Sequence, residues 1–488
     1  MKPRNLRLLA TTTVALAVLV PSLSAAAGRL PNIVVILADD LGYADIGVHG
    51  ARDIPTPNID RLAAGGMRFT NGYVTWVACA PSRASLLTGQ DSHRFGFYTN
   101  PTPVLARDQG LPPGIMTVPL ALQQRGYITG GIGKWHLGTT DDRHPNRLGF
   151  TEWFGFLGGG HDYFPRAHYG PPFPRPWPEH FVNSTLPILR NREPVKQDRY
   201  LTDMFSDEAV AFIRRHQGEP FFLYLAYNAP HGKWEAPADE QAKLSLERMN
   251  PPAGISREFR RTYAAMITRM DAGIGRVLAA LRDQQIEERT LVFFLSDNGG
   301  GPNVNEQGNP NYPSSNHPLR GFKGTLYEGG IRVPFLASWR GMLPAGVTYD
   351  QPVSSLDIGA TALALAGGAP PVMRLDGVNL LPHLTGRIKD APHTRLYWKE
   401  QVRGAIREGR YKLITGENVR TPQLYDLDAD RSETRNLAAE QPEVVARLTA
   451  AWQAWNVQMQ PPLWQTPPRT EWTKPEYQPA LWPEEIGR

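Results

Sequence analysis

The stretch Pro31-Asn32-Ile33-Val34-Val35-Ile36-Leu37-Ala38-Asp39-Asp40-Leu41-Gly42 carries the signal that decides the fold class. Ile33 to Ala38 is a continuous apolar run without the polar alternation of a half-exposed strand, so it reads as a strand buried on both faces. Pro220 to Tyr227, Leu291 to Ser296 and Val333 to Trp339 have the same character, and Tyr127 to Gly131 is a weaker candidate. Helical patterns lie between them at Asn58 to Ala64, Val118 to Arg125, Thr202 to Arg215, Phe259 to Arg282 and Asp357 to Ala366. Alternation of this kind predicts an α/β fold with a mainly parallel sheet covered on both faces.

Working outward, the C-terminal region changes in kind after Gly386. Leu396 to Lys399, Gly404 to Glu408, Tyr411 to Thr415 and Gln423 to Leu427 read as short strands, with turns marked by Arg410 and Gly416, and a helix follows over Pro442 to Trp455. These predict a small antiparallel sheet with one packed helix. The tail from Gln460 on is rich in Pro and Trp and reads as an extended arm, while Gly158 to Arg199 reads as an irregular insertion shaping a cleft. At the other end, Lys2, Arg4 and Arg7 precede the apolar run Leu8 to Val20 and the small residues Ser22 to Ala27, the pattern of a secretory signal peptide. The expected organisation is therefore residues 1–27 as leader, 28–386 as catalytic domain and 387–488 as C-terminal subdomain, with a periplasmic or secreted location.

Composition narrows the function. The formal charge of +5 loses three basic residues with the leader, leaving +2, which gives no support to a nucleic-acid or anionic-membrane partner. No later run is apolar enough for stable membrane insertion. The chain has one cysteine, Cys79, so no internal disulfide is available to it.

Ligands of open α/β sheets bind beyond the carboxyl ends of the strands. There the first run delivers Asp39-Asp40, Tyr127 to Gly131 leads to Lys134 and His136, Pro220 to Tyr227 leads to His231, and Leu291 to Ser296 leads to Asp297-Asn298. Asp39, Asp40, Asp297 and Asn298 are oxygen donors suited to Ca²⁺ or Mg²⁺, although an Asp pair after a strand also serves to cap a helix. Lys134, His136, His231 and Lys323 suit an anionic substrate, although each residue type is commonly structural as well. Pro81 suits the first turn of a helix and puts Cys79 just before its N-terminus, where the dipole favours negative charge. A plain thiolate is nevertheless poorly matched to an all-oxygen, hard-cation site.

Cys79-Ala80-Pro81-Ser82-Arg83, followed by Ala84-Ser85-Leu86-Leu87-Thr88-Gly89, resembles the C-x-P-S-R signature of the type I, formylglycine-dependent sulfatases of the alkaline phosphatase superfamily. Pro31 to Gly42, Thr56 to Leu62, Gly133 to Gly138, Ala229-Pro230-His231, Ser296 to Gly300, Arg320 to Gly324 and Glu328 to Pro334 share the resemblance. Leu424 to Leu427 and Glu433 to Leu437 resemble the family's C-terminal subdomain. The resemblance implies an alkaline-phosphatase-like sandwich and one Ca²⁺ bound by Asp39, Asp40, Asp297, Asn298 and residue 79. It implies that Cys79 is oxidised to formylglycine by a formylglycine-generating or sulfatase-maturating enzyme. One oxygen of the hydrated aldehyde would then attack sulfur, and the other hydroxyl would expel sulfate. Arg83 and Lys134 would stabilise the diol, His136 would assist its deprotonation, and His231 with Lys323 would hold sulfate and protonate the leaving oxygen.

The activity so implied is hydrolysis of sulfate monoesters, on a sulfated small molecule or glycan. A sulfated carbohydrate is the favoured substrate because aromatic faces stack on sugar rings, with Trp153, Trp177 and Trp234 available, although Trp more often packs. Arg94, Phe95 and His161 are further pocket candidates. The competing readings are a formylglycine-dependent phosphonate monoester or phosphodiester hydrolase, an inactive carbohydrate-binding relative, and a thiol enzyme using unmodified Cys79. An alkaline phosphatase would call for Ser or Thr at position 79 and histidine-rich zinc ligands. Asn183-Ser184-Thr185 is a glycosylation acceptor only in a eukaryotic secretory route.

Overall fold

The computed structural model describes residues 29–101, 108–165, 186–303, 311–416 and 421–465. The leader, Trp177, Asn183-Ser184-Thr185 and the tail beyond Gln465 lie outside the described residues.

Strands β1 (Asn32–Ala38), β2 (Met67–Phe69), β3 (Gly72–Tyr73), β4 (Ile128–Lys134), β5 (Glu152–Phe156), β6 (Ile188–Arg190), β7 (Glu193–Val195), β8 (Phe221–Ala226), β9 (Thr290–Ser296), β10 (Phe335–Ser338) and β11 (Val347–Tyr349) account for most of the strand residues. All of these except β3 form one ten-stranded sheet in the order β11-β2-β10-β9-β1-β8-β4-β5-β6-β7. Its centre, from β9 through β1, β8 and β4 to β5, is parallel throughout. β1 is central and every one of its residues is buried, as its unbroken apolar run requires. Val34, Ile36 and Ala38 pack on one face against helices Pro57–Ala64, Leu201–Arg215 and Arg257–Asp283. The last of these begins earlier than its apolar pattern, because the Ser256 side chain caps it by accepting from the Phe259 amide at 3.1 Å.

Several elements differ from the sequence reading. The run Val333 to Trp339 is a strand only over Phe335–Ser338, and it lies antiparallel to β9. An apolar run reports burial and is blind to direction. Within Gly158 to Arg199 the described part includes the edge hairpin β6–β7. β4 runs on to Lys134 despite Gly130, Gly131 and Gly133, residues that dilute its apolar signal.

β12 (Val353–Ser354) pairs with β3, and β13 (Arg395–Glu400), β14 (Arg403–Glu408), β15 (Tyr411–Gly416) and β16 (Gln423–Asp426) form a four-stranded antiparallel meander. One face of the meander packs Ile406, Leu413 and Leu424 against Leu448, Trp452 and Trp455 of helix Pro442–Asn456. The other packs Trp398, Ala405 and Ile414 against Tyr73, Trp76, Leu326 and Ile331. The described start of the tail lies on the loop after helix Cys79–Thr88, with Gln460 donating to the His93 carbonyl at 2.9 Å and Trp464 edge-on to Phe97. Among the described residues no helix is long and apolar enough to cross a membrane.

Candidate active site

Register at the carboxyl edge of the sheet brings the polar strand ends together. Ala38 pairs with Ser296, and Leu37 and Gly133 both pair with Ala226, so three strands finish at one level beside β4. The pairing continues into the turns, where Asp39 donates its amide to the Ala229 carbonyl and Asp297 donates to that of Ala38, each at 3.1 Å. Ser296 Oγ accepts from the Leu41 amide at 3.0 Å and donates to the Asn298 carbonyl at 2.8 Å, locking the two acidic turns to each other. Asp40 and His136 both hold φ near 61°, a left-handed conformation that few side chains adopt outside turns and functional sites.

Helix Cys79–Thr88 points its N-terminus into this cluster, and all of its residues are buried. Cys79 is the first helical residue rather than the one before it, and Pro81 stands in the first turn, where its missing N–H would have had no helical partner anyway. Arg83 follows four residues on and shares the face of Cys79. Its Nη2 lies 2.7 Å from Asp297 Oδ2 and 3.6 Å from Asp39 Oδ1, with full burial on all three sides of the contact.

The remaining cations close the cluster. Lys134 Nζ donates to Asp39 Oδ2 at 2.7 Å. Lys323 Nζ reaches Asp40 Oδ1 at 2.7 Å and Cys79 Sγ at 3.1 Å. Asn298 Nδ2 donates to Asp40 Oδ1 at 2.7 Å, and His231 Nε2 sits 3.7 Å from Asp40 Oδ2. His136 follows Lys134 by two residues, its Nδ1 buried with no hydrogen-bond partner among the described residues. All the catalytic and metal candidates taken from the strand ends and the helix therefore converge here. The pocket candidates are engaged in contacts of their own. Arg94 pairs with Asp376 at 2.6 Å beside a separate cavity, and both ring nitrogens of His161 are within 3.1 Å of backbone carbonyls. Phe95 packs edge-on to Phe97 at 6.4 Å, and Trp153 is buried against Trp135.

Electrostatics sets the protonation states. Burial pushes the Cys79 thiol up to about 12, outweighing the pull of Lys134 and Lys323. Burial would raise Asp40, but Lys323 and then His231 overcome it and hold this carboxyl below the usual carboxylate range. Burial pushes Asp297 up to about 6 against the attraction of Arg83, with Asp39 adding to the rise. His231 is depressed to about 3, chiefly by burial and then by Lys134 and Lys323, with Asp40 opposing. His136 falls well below its ordinary value for the same first reason, helped by Lys134 and Arg83.

The donors fit a hard cation. Donor atoms of Asp39, Asp40, Cys79 and His231 lie within 4.8 Å of one another, with Asn298 hydrogen-bonded to Asp40. Asp39 Oδ1 and Asn298 Oδ1 are buried acceptors that receive no hydrogen bond among the described residues, which is the state of oxygens left for a cation. The thiol is the one soft donor in the group.

Supporting residues with no sequence signal also emerge. Asn100 Oδ1 accepts from the Ala80 amide at 3.0 Å at the start of the helix. Tyr163 Oη lies 2.6 Å from the Asn228 carbonyl and 2.8 Å from that of His231, pinning the turn that carries His231. Arg260, buried against Asp45, reaches the Pro313 carbonyl at 2.7 Å and steadies the segment before Lys323. All three come from loops or distant helices, where spacing carries no information about contact.

A family model described as sulfatase matches residues 31–369, and one described as the C-terminal part of N-sulphoglucosamine sulphohydrolase matches residues 322–458. The chain belongs to the sulfatase family. Its relatives include N-acetylgalactosamine-6-sulfatase of Canis lupus familiaris, 36% identical over 80% of this chain and 72% of the relative. Arylsulfatase A of Homo sapiens is 35% identical over 87% of each chain. The protein is thus a sulfuric ester hydrolase. The crystal structure of Ps i-CgsB in complex with k-i-k-neocarrahexaose superposes with a TM-score of 0.80 at 35% identity, over 93% of this chain and all of that one. Phosphonate monoester hydrolase of Agrobacterium radiobacter shares the fold at a TM-score of 0.64 and 20% identity, over 88% of this chain and 95% of its own. The architecture is accordingly the alkaline-phosphatase-like α/β sandwich with a small C-terminal antiparallel sheet.

Proposed function

We propose that the chain hydrolyses sulfate monoesters of carbohydrates to alcohol and inorganic sulfate, using a formylglycine made from Cys79 and one Ca²⁺. The ion would be held by Asp39, Asp40, Asp297, Asn298 and residue 79. The observation that carries this reading is a thiol pushed up to about 12 at the centre of an oxygen-rich cluster, 3.1 Å from Lys323. A group that stays a thiol at neutral pH is a poor nucleophile there, and an oxygen-bearing replacement removes the mismatch. Hydrated formylglycine would supply an oxygen nucleophile and a second hydroxyl, and Ca²⁺ would polarise sulfate oxygens and offset the carboxylates.

The chain's own residues do the rest. Arg83 and Lys134 are fully buried cations that hold negative charge near residue 79. His136, neutral in its buried setting, accepts a proton there. Burial opposes the charge on Lys323, yet Asp40 keeps the ammonium protonated and able to clamp the sulfate. His231 is neutral in the free site, and an anionic sulfate beside it favours the imidazolium that protonates the leaving oxygen. A carbohydrate substrate is supported by relatives whose names specify N-acetylgalactosamine 6-sulfate and by the carrageenan-type oligosaccharide bound in Ps i-CgsB. Export to the periplasm or medium, through residues 1–27, and prior oxidation by a formylglycine-generating or sulfatase-maturating enzyme complete the proposal.

The test is a mass spectrum of tryptic peptide Phe69 to Arg83 from protein made in its own host, with aldehyde-specific labelling. An aldehyde at position 79 is expected, and an unmodified thiol overturns the mechanism. Chelation should remove activity, with Ca²⁺ restoring it better than Zn²⁺; an enzyme indifferent to chelator would show the metal assignment to be wrong.

A further inference from the structure

The residues described so far grip the sulfate and the nucleophile, but none of them reads the alcohol that leaves. That alcohol must lie next to the group that protonates its oxygen, which in the function proposed above is His231. Tyr312 is the aromatic neighbour of His231, with ring centroids 6.5 Å apart and planes at 83°. The ring is fixed. It stands edge-on to Trp234 at 5.0 Å, and Trp234 is in turn held edge-on by Phe259 at 4.9 Å. Gly301 also approaches so closely that an added Cβ would fall 2.3 Å from the Tyr312 ring. The Tyr312 amide donates to the Pro302 carbonyl at 3.0 Å, and the following Pro313 carbonyl is anchored by buried Arg260 at 2.7 Å.

The phenol is thus held on rigid supports, as a binding residue needs to be. The residue is half-buried, and its hydroxyl makes no hydrogen bond to any described residue. The ring's place beside His231 puts the residue at the edge of the cluster in which His231 and Lys323 meet Asp40. Burial together with Asp40 raises the phenol above its ordinary range, so it is a hydrogen-bonding group and takes no part in proton transfer near neutral pH.

We propose that Tyr312 is a specificity-determining residue whose hydroxyl hydrogen-bonds the hydroxyl or ring oxygen of the sugar bearing the scissile sulfate, while its ring walls the leaving-group side of the site. The assignment rests on the carbohydrate reading above. A phenyl leaving group offers no such partner, so the two substrate types separate the role from general support of the fold.

The test compares full-length wild-type enzyme with Tyr312→Phe, which keeps every ring contact, on 4-nitrophenyl sulfate, N-acetylgalactosamine 6-sulfate and sulfated neocarrahexaose. For whichever sulfated sugar the wild type cleaves, kcat/KM should fall about tenfold, mostly through KM, with the aryl ester within about twofold of wild type. Equal losses on sugar and aryl ester, or no loss on either, overturn the assignment while leaving the carbohydrate reading in place. A wild type that cleaves the aryl ester and neither sugar overturns the carbohydrate reading and this assignment with it.

Discussion

A cysteine that attacks as a thiolate needs surroundings that stabilise its negative charge, and a helix N-terminus with two lysines nearby provides some of that. At Cys79 burial outweighs both, and the carboxylates of Asp39 and Asp297 add to the penalty. This setting supports the formylglycine proposed for position 79. Cys79→Ala should lower kcat on an aryl sulfate by at least about 10⁴-fold, the scale of losing a nucleophile, with a urea midpoint close to wild type. Turnover within tenfold of wild type would sink the assignment. At this scale much of the site was legible in the sequence: Asp39, Asp40, His231, Asp297 and Asn298 follow strands and Lys134 ends one, and strand ends of such sheets face ligands. Arg83 was legible only through the resemblance of Cys79 to Arg83 to the sulfatase signature. Asn100 and Tyr163 were not, because a hydrogen bond from a loop to a backbone group leaves no periodic trace.

Elements carry these residues only if the strands reach the same edge, and β4 shows how narrow the tolerance is. Gly133 has φ of 108°, and a Cβ there would come within 1.8 Å of the Ala226 carbonyl oxygen on β8. Backbone lies on the other side of that contact, so no side chain can move away to relieve it. Gly133→Ala should destabilise the protein by about 3 kcal/mol or more, combining left-handed strain with displacement of β8. It should also depress kcat, because Lys134 is the next residue. A urea midpoint and kcat both unchanged would show that the close approach is not maintained in solution. The same glycines explain why β4 was the weakest strand in the sequence reading: close packing against Ala226 and against the ring of Phe212 selects residues that carry no hydrophobic signal. β10 was read correctly as buried, but its antiparallel direction is set by pairing with β9 and β2, which local sequence does not encode.

At the scale of the whole molecule, the meander is tied to the large sheet's surroundings by a buried charge cluster. Lys412 of β15 is fully buried, with Nζ 2.8 Å from Glu328 and 2.8 Å from Glu433. Burial would raise Glu328, but Lys412, and then Arg332 and Arg407, hold it below the usual carboxylate range. Lys412→Met leaves buried carboxylates without their main partner, and should cost about 3–5 kcal/mol in urea unfolding. A loss below about 1 kcal/mol would mean the carboxylates find other partners or take up protons cheaply. Nothing in the separate sequences around Glu328, Lys412 and Glu433 announced this cluster, since each is an ordinary surface residue by type. The sequence by itself determined the α/β class, the existence of a C-terminal antiparallel sheet, and the residue types gathered at the strand ends, because burial and hydrogen-bonding needs are written locally in apolar runs and turn residues. Only the tertiary structure decided strand order and direction, which carboxylate meets which cation, the protonation of Cys79 and the placing of Tyr312 beside His231. Those depend on distances between residues far apart in the chain, such as Asp40 and Lys323, 283 positions apart, and on the desolvation that packing imposes.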